Sequence, residues 1–137
     1  MKQRRISNSP LMDPSVCALV VISPDPEEFA SHDLGARIDH QRTLAAVTKA
    51  AHIASVPAFS LVRSAQEQAV SPPADVLSPS SHRRFVFEEH YSPWSHRGFV
   101  EALAAEDRSI LILAGFWLEH QIISTALHAL ADGYDVC

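Results

Sequence analysis

The 137-residue chain is poor in the residues that mark several common protein classes. It contains only four glycines and two cysteines, and no apolar run approaches the roughly 20 residues of a membrane-spanning helix. Cys17 and Cys137 lie at opposite ends of the chain, without the short spacings of zinc ligands or of a disulfide framework. We therefore expect a soluble protein of a reducing cytoplasm, with no membrane partner.

Positive charge is also scarce. Eleven lysines and arginines stand against 16 aspartates and glutamates, which gives a formal net charge of -5 and argues against a nucleic acid or an acidic membrane as the main partner. The eight histidines are scattered, without the paired spacing of a metal site. No glycine-rich phosphate loop follows the first apolar segment. We therefore expect neither a metal nor a cofactor.

The first 15 residues have the composition of a flexible arm. The basic residues Lys2, Arg4 and Arg5 are followed by polar residues and prolines, and no apolar core of a signal peptide comes before Cys17. The length of the remainder suits one compact core. We expect residues 16–137 to form a single domain, interrupted by a mobile loop near residues 64–84 that carries three prolines and many serines and alanines.

Apolar residues predict an alternation of strands and helices. The continuous run Val16–Ile22 is typical of a strand buried on both faces of a parallel sheet. Further strands are predicted at residues 56–62, 85–87 and 109–113, and the last four residues read as the opening of a fifth. Helices are predicted at residues 38–54, 98–105 and 118–131. This order indicates an α/β fold with three α-β-α layers and a mostly parallel sheet, whose ligand site lies beyond the carboxyl ends of the strands.

The spacing of apolar residues also predicts which helix faces are buried. In the first helix the predicted inner face comprises Leu44, Val47, Ala51 and Ala54. Gly133 is placed to end the last helix. The predicted core-facing residues of that helix are Ile122, Ile123, Ala126, Leu127 and Leu130.

Three segments together resemble the isochorismatase-like cysteine hydrolases, a family that includes nicotinamidases. The most specific runs from the apolar residues 110–113 through Ala114-Gly115 and an aromatic pair into a helix, with Thr125, Ala129 and Gly133 downstream. The others are residues 18–24, with Phe29 downstream, and residues 92–103, which begin Ser-Pro-Trp. The resemblance covers most of the chain from about residue 17 onward, and it implies the α/β fold expected above.

The resemblance implies an Asp, a Lys and a Cys in the active site. In such a site the carboxylate takes the thiol proton, the cation favours the charged form, and the thiolate attacks an amide or imide carbon. Matched by motif, these positions fall on Ser23, on Glu88, six residues before Trp94, and on Gln121. All three are substituted, and losing even one member of such a unit costs on the order of 10⁴ to 10⁶ in turnover. The pattern indicates a pseudoenzyme, a scaffold that has lost cysteine chemistry.

A second alignment of this sequence with the family motif leaves open that the chain is an active enzyme. The stretch from Ser23 to Phe29 is one residue longer than the family's usual spacing from Asp to Phe, so a shifted register places Asp25 at the Asp position. Isochorismatases proper hydrolyse a vinyl ether with an Asp acid and can lack the cysteine. They also carry a histidine just before the helix, where this chain has His120. The alternative is therefore an active hydrolase of a small amide or vinyl ether that uses Asp25.

Other residues at the predicted strand ends have two interpretations. Trp94, Trp117 and His120 are candidate substrate-binding residues for a small-molecule ligand, but the two tryptophans could equally pack as core and His120 could lie at the surface. Nicotinamidases hold a metal with residues after the second strand. Here that place reads Arg63-Ser64-Ala65-Gln66, which again predicts no metal.

The sequence ends as the fifth strand opens, whereas the resemblance implies a further strand and a terminal helix. An uncovered sheet edge favours association with another chain. We therefore expect a homo-oligomer.

Overall fold

Five parallel strands form one sheet in the computed structural model, which describes residues 12–23, 31–63, 82–87, 92–115 and 122–137. The strand order is β3-β2-β1-β4-β5, and every paired strand runs parallel to its neighbour. The bounds are β1 Cys17–Ile22, β2 Ala58–Arg63, β3 His82–Phe87, β4 Ile110–Gly115 and β5 Asp135–Val136. The predicted α/β fold is confirmed, including the opening of a fifth strand.

Three α-helices and two short 3₁₀ turns accompany the sheet. The helices are α1 Leu34–Ile53, α2 Arg97–Ala105 and α3 Ile123–Ala131, and the turns are Pro14–Val16 and Pro93–Ser95. Helix α1 begins four residues before its predicted start because Asp33 caps it: the Asp33 carboxylate accepts a hydrogen bond from the Ala36 amide at 2.8 Å. The His96 ring caps α2 in the same way, accepting from the Phe99 amide at 3.1 Å.

The helices lie on both faces of the sheet, as the three-layer prediction requires. On one face, Leu44 and Ala51 of α1 pack against Leu19 and Val21 of β1. On the other, β1 presents Ala18, Val20 and Ile22 to side chains of α2 and α3, among them Phe99, Leu103 and Ala129. All six β1 residues are buried, which explains the unbroken apolar run in the sequence.

The predicted burial of two helix faces is partly wrong. Ala54, expected on the inner face of α1, is exposed where the helix ends. Three residues of α3 that the periodicity predicts to face the core are exposed instead: Ile123 by 44%, Leu127 by 62% and Leu130 by 52%. The small residues Thr125 and Ala129 are buried instead, because close packing of this helix on the sheet places small side chains inward. Of the predicted set, Ile122 packs against the core.

The end of α3 is as predicted at Gly133. This glycine has φ +91°, a conformation that costs glycine little. Its amide donates to the Leu130 carbonyl at 3.1 Å, and the Tyr134 amide donates to the Ala129 carbonyl at 3.0 Å. These two bonds form a Schellman motif, which turns the chain directly into β5.

The last residues of the predicted N-terminal arm are folded. Asp13 caps the 3₁₀ turn Pro14–Val16 by accepting from the Ser15 amide at 2.9 Å. The Arg108 guanidinium donates to the carbonyl oxygens of Pro14 and Ser15. The arm therefore contacts the domain at Pro14 and Ser15, and residues 1–11 lie outside the described residues.

The predicted loop at residues 64–84 is shorter than expected at its end, because β3 already begins at His82. Residues 64–81 lie outside the described part of the chain. Within that described part, no helix has the length and apolar character needed to cross a bilayer.

Candidate functional site

The carboxyl ends of β1 and β4 lie side by side at the centre of the sheet. Ile22 is opposite Gly115 in the register of these two strands. From β1 the chain crosses to β2 through α1 on one face, whereas α2 leads into β4 on the other face. The two connections diverge at this point, which is the switch position where open parallel sheets bind their ligands. We take this carboxyl edge as the candidate site.

Ser23 stands at this edge as the first residue after β1. Its amide donates to the Leu61 carbonyl at 3.0 Å, which continues the pairing with β2. Because side chains alternate along a strand, Ser23 belongs to the same face as Leu19 and Val21, the face that α1 covers. The side chain is partly buried. A serine there can donate or accept one hydrogen bond but is not a base without a partner.

Gly115 gives the edge its close packing. A Cβ atom at this position would lie 2.6 Å from Ile122 Cδ1 and 3.2 Å from the carbonyl oxygen of Ile22. An added methyl group would therefore displace the end of the Ile122 side chain and crowd the Ile22 backbone, so glycine favours this close approach. Ile122, the residue directly before α3, therefore lies beside the carboxyl edge.

Arg37 brings a positive charge towards this edge. It lies in the first turn of α1, whose other end leads into the amino end of β2, so the start of α1 lies at the carboxyl edge. Spacings of seven and 14 residues place Arg37 on the same helix face as the buried Leu44 and Ala51. The residue is partly buried, and its Nε atom is enclosed without a hydrogen-bond partner among the described residues.

Neither cysteine of the chain is at the carboxyl edge. Cys17 begins β1 at the opposite end, is 1% exposed, and lies with its sulfur 3.2 Å from the Asp13 carbonyl oxygen. Burial raises the pKa of the Cys17 thiol, and the nearby Asp13 charge adds to this effect. Cys137 pairs through its backbone with Leu111 and Leu113 in the middle of β4. Since the sequence holds only these two, no cysteine is available as nucleophile at the edge.

Trp94 lies away from the carboxyl edge. Its indole Nε1 donates to Asp132 Oδ2 at 2.7 Å, and its ring packs edge-on against Phe99 and Tyr134, with centroid distances of 5.9 and 6.1 Å. Asp132 and Tyr134 follow α3, next to the amino end of β4 where β5 begins. Of the two interpretations of Trp94, these contacts favour a packed core residue over a ligand contact at the site.

The other predicted site residues are Asp25, Glu88, Trp117, His120 and Gln121. All of them lie outside the described residues. In sequence, Glu88 directly follows β3 and Gln121 directly precedes Ile122, so both are attached to elements that end or begin at the carboxyl edge. The structure thus places Ser23 at the edge and Trp94 elsewhere.

Two features of the edge were not predicted from the sequence. Gly115 was noted as part of a motif, but its contact with Ile122 depends on a tertiary approach that no local pattern contains. Arg37 could have been found from its spacing to Leu44 and Ala51, since a charge in register with a buried helix face is unusual. Among the described residues, no group of three or more His, Cys, Asp or Glu side chains could hold a metal ion.

Comparison with known families and structures agrees with the α/β fold described above. The model of the isochorismatase domain matches residues 17–137, which is nearly the whole chain. No curated protein matches the sequence significantly.

Several solved structures share the fold at low sequence identity. An isochorismatase from Pseudomonas putida superposes with a TM-score of 0.73 at 18% identity, over 94% of this chain and 71% of that one. The YcaC gene product of Escherichia coli, described as an octameric hydrolase of unknown specificity, gives 0.60 at 18% identity, over 95% and 64%. The MAR1 ribonuclease of Caenorhabditis elegans gives 0.65 at 18% identity, over 91% and 62%. The chain thus spans roughly two thirds of the length of these proteins.

Proposed function

The chain belongs to the isochorismatase family of hydrolases, and from that premise we propose that it is a diverged member without cysteine-dependent catalysis. The observation that carries the proposal is the position of its only two cysteines, one buried at the amino end of β1 and one beside the middle of β4. A thiolate nucleophile at the carboxyl edge would require a third, which the sequence lacks.

The residues at the family's motif positions support the same proposal. Gln121 carries an amide that is not nucleophilic near neutral pH. Glu88 replaces a cation by an anion, which repels a developing negative charge where the family would stabilise it. Ser23, at the end of β1, cannot take a proton as the family's carboxylate would. Each change removes a different part of one mechanism, so restoring a single residue would not restore turnover.

We further propose that the carboxyl edge retains the ability to bind a small molecule, and that an anionic group of this ligand lies beside Arg37 rather than at the position of Glu88. Arg37 is the support for this, because a partly buried guanidinium with an enclosed, unpartnered Nε among the described residues gains from an anion beside it. Small carboxylates should raise the unfolding temperature of the wild type but not of Arg37→Gln. Arg42→Gln, an exposed arginine of the same helix, is the matched control. An equal response of both variants would contradict the assignment.

The alternative function is an active hydrolase that uses Asp25. It rests on the one-residue-longer spacing between Ser23 and Phe29, which lets Asp25 take the position of the family's carboxylate. Acid-catalysed cleavage of a vinyl ether needs such a group and no thiolate. His120 is the second candidate in this alternative.

A substrate panel separates the two functions. Purified wild type and Asp25→Ala are assayed with nicotinamide, simple amides and a vinyl ether of the isochorismate type. The diverged, non-catalytic function predicts no turnover above the uncatalysed rate for either protein. Turnover by the wild type that disappears in Asp25→Ala would establish the alternative instead.

A reconstruction tests whether the three motif positions have been assigned correctly. Gln121→Cys is prepared alone and together with Ser23→Asp and Glu88→Lys, in both cases with Cys137→Ser to remove the exposed native thiol. An introduced cation lowers the pKa of a nearby thiol, whereas an introduced carboxylate raises that pKa but can take the thiol proton, so convergence of the three positions should change the rate of alkylation by iodoacetamide near neutral pH. Equal alkylation rates in the two proteins would show that these positions do not converge.

We also infer a homo-oligomer in the cytoplasm. The octameric state described for the E. coli YcaC product, which shares the fold, supports self-association. The two free cysteines are consistent with a reducing compartment. Sedimentation of the wild type over about a hundredfold range of concentration tests the oligomer, because self-association makes the mass concentration-dependent.

A further inference from the structure

A cavity of about 310 Å³ lies at the amino ends of the strands, on the opposite edge of the sheet from the candidate site. It is lined by residues 52 and 55–58 of the α1–β2 connection and by Glu106 and Arg108 of the α2–β4 connection. We call it the amino-edge cavity. Its volume is at the lower end of the range for pockets that bind small molecules, so it has room for a ligand about as large as a free amino acid.

Arg108 supplies a positive charge that is held in place. Its Nη1 donates to the carbonyl oxygens of Pro14 and Ser15, and the residue is partly buried. Because both bonds use Nη1, the Nε and Nη2 donors of the guanidinium are left for a ligand. A guanidinium fixed in one orientation is well suited to bind a carboxylate through two parallel hydrogen bonds.

Glu106 supplies a negative charge to the same cavity. Its Oε1 forms an ion pair with Arg83, whose guanidinium lies over the Phe59 ring at 5.2 Å from the centroid. Arg83 thus holds the carboxylate, while Oε2 is left to accept from a ligand. The chain turns at Asp107, which has φ +50°, and the residues on both sides of this turn line the cavity.

The rest of the lining favours an ammonium group and an apolar side chain. Helices α1 and α2 both end at this edge, and His52, in the last turn of α1, lines the cavity, as does Glu106, which follows α2. The carboxyl end of a helix carries partial negative charge, which attracts a cation. Val56, Pro57 and the buried Ala58 give the cavity an apolar wall.

We propose that the amino-edge cavity binds a free α-amino acid with an apolar side chain. The carboxylate of the ligand pairs with Arg108, its ammonium group lies beside Glu106 and the helix ends, and its side chain packs on residues 56–58. A simple anion would be repelled by Glu106 and a simple cation by Arg108, whereas a zwitterion complements both charges. This site is separate from the carboxyl edge and does not depend on the function proposed there.

A series of three ligands tests the recognition of both charges. Near pH 7 leucine carries a carboxylate and an ammonium group, N-acetylleucine only the carboxylate, and leucinamide only the ammonium group. Isothermal titration calorimetry of the wild type should show leucine binding at least about tenfold more tightly than either analogue, since each analogue leaves one charged group of the cavity without a partner. Equal binding of the three ligands, or no binding of leucine at millimolar concentration, would overturn the proposal.

Variants test the two residues that carry the charges. Arg108→Gln and Glu106→Gln should each weaken leucine binding at least about tenfold. Arg97→Gln and Glu101→Gln are the matched controls, because these two residues form an exposed ion pair on α2 outside the cavity lining. Circular dichroism verifies that each variant is folded. Unchanged affinity in both cavity variants, or an equal loss in the controls, would contradict the assignment.

Nuclear magnetic resonance locates the ligand in the wild type without any variant. Leucine should shift the amide resonances of Ser55, Val56 and Asp107 and leave that of Gly115, at the carboxyl edge, unchanged. Shifts confined to the carboxyl edge would overturn the amino-edge site. Arg37→Gln should keep its affinity for leucine, so the failure of the carboxyl-edge proposal and the failure of this one are different results.

Discussion

The indole Nε1 of Trp94 donates a 2.7 Å hydrogen bond to Asp132 Oδ2. This bond joins the 3₁₀ turn that precedes α2 to the residue at which α3 ends. The Trp94 ring also packs against Phe99 and Tyr134. One side chain thus connects the ends of two helices that cover the same face of the sheet.

We predict that Trp94→Phe lowers the free energy of unfolding by about 1–2 kcal/mol, because it keeps an aromatic ring but loses a hydrogen bond to a charged acceptor. Trp94→Ala should cost about 3–5 kcal/mol, since it also removes the packing. Urea unfolding measures both. Asp132→Asn retains an acceptor and should cost less than Trp94→Phe. A larger loss for Asp132→Asn would show that the carboxylate has a role beyond this bond.

Gly115 provides the second prediction. Gly115→Ala should destabilise the protein by about 1–3 kcal/mol, because the new methyl group would lie 2.6 Å from Ile122 Cδ1 and 3.2 Å from the Ile22 carbonyl oxygen. Ile122→Val removes the Cδ1 atom, so the double variant should lose less stability than the sum of the two single variants. The backbone contact with Ile22 remains, and the recovery should therefore be partial.

Gly133→Ala is the matched control for that double variant. Gly133 has φ +91° and no atom within 4 Å of an added Cβ. Its substitution should cost on the order of 1 kcal/mol through backbone strain alone. Combined with Ile122→Val, its cost should simply add, because the two sites share no contact. Additive losses at both glycines would contradict the steric role of Gly115.

The sequence predicted the central strands well because burial on both faces imposes an unbroken apolar pattern. The run that ends at Ile22 is the clearest case, since all six residues of β1 are buried. It also predicted the end of α3, where Gly133 adopts the positive φ that ends a helix. Both features depend on the types of neighbouring residues in the sequence, so they could be predicted without knowledge of the fold.

The outer face of α3 could not be predicted in the same way. Periodicity identifies an apolar stripe but not what it contacts, and the inward residues Thr125 and Ala129 are too small to stand out in the pattern. Likewise, the position of Trp94 depends on Asp132, 38 residues later in the chain. At the site, motif spacing led to Ser23, which the structure places directly after β1, while the contact between Gly115 and Ile122 arises only from the assembled fold.

The two cysteines should differ in reactivity in the native protein. Cys17 is buried, and burial raises the pKa of its thiol, so little thiolate is accessible. Cys137 is exposed. Titration with a chromogenic disulfide reagent should show one fast and one slow phase, and Cys137→Ser should remove only the fast phase. Two fast phases in the folded wild type would contradict the position of Cys17 at the amino end of β1.

His40 makes stability depend on pH. It lies in α1 and is partly buried, and burial lowers the pKa of its imidazole below the ordinary 6.5. The unfolded chain therefore binds a proton at a higher pH than the folded protein, so stability falls as the pH drops through 6.5 towards the lower folded pKa.

We expect the urea midpoint to decrease from pH 7 to pH 5, and His40→Gln to reduce that decrease. His52→Gln, which removes an exposed histidine of the same helix, is the matched control. An unchanged pH dependence in His40→Gln would show that His40 is not the source.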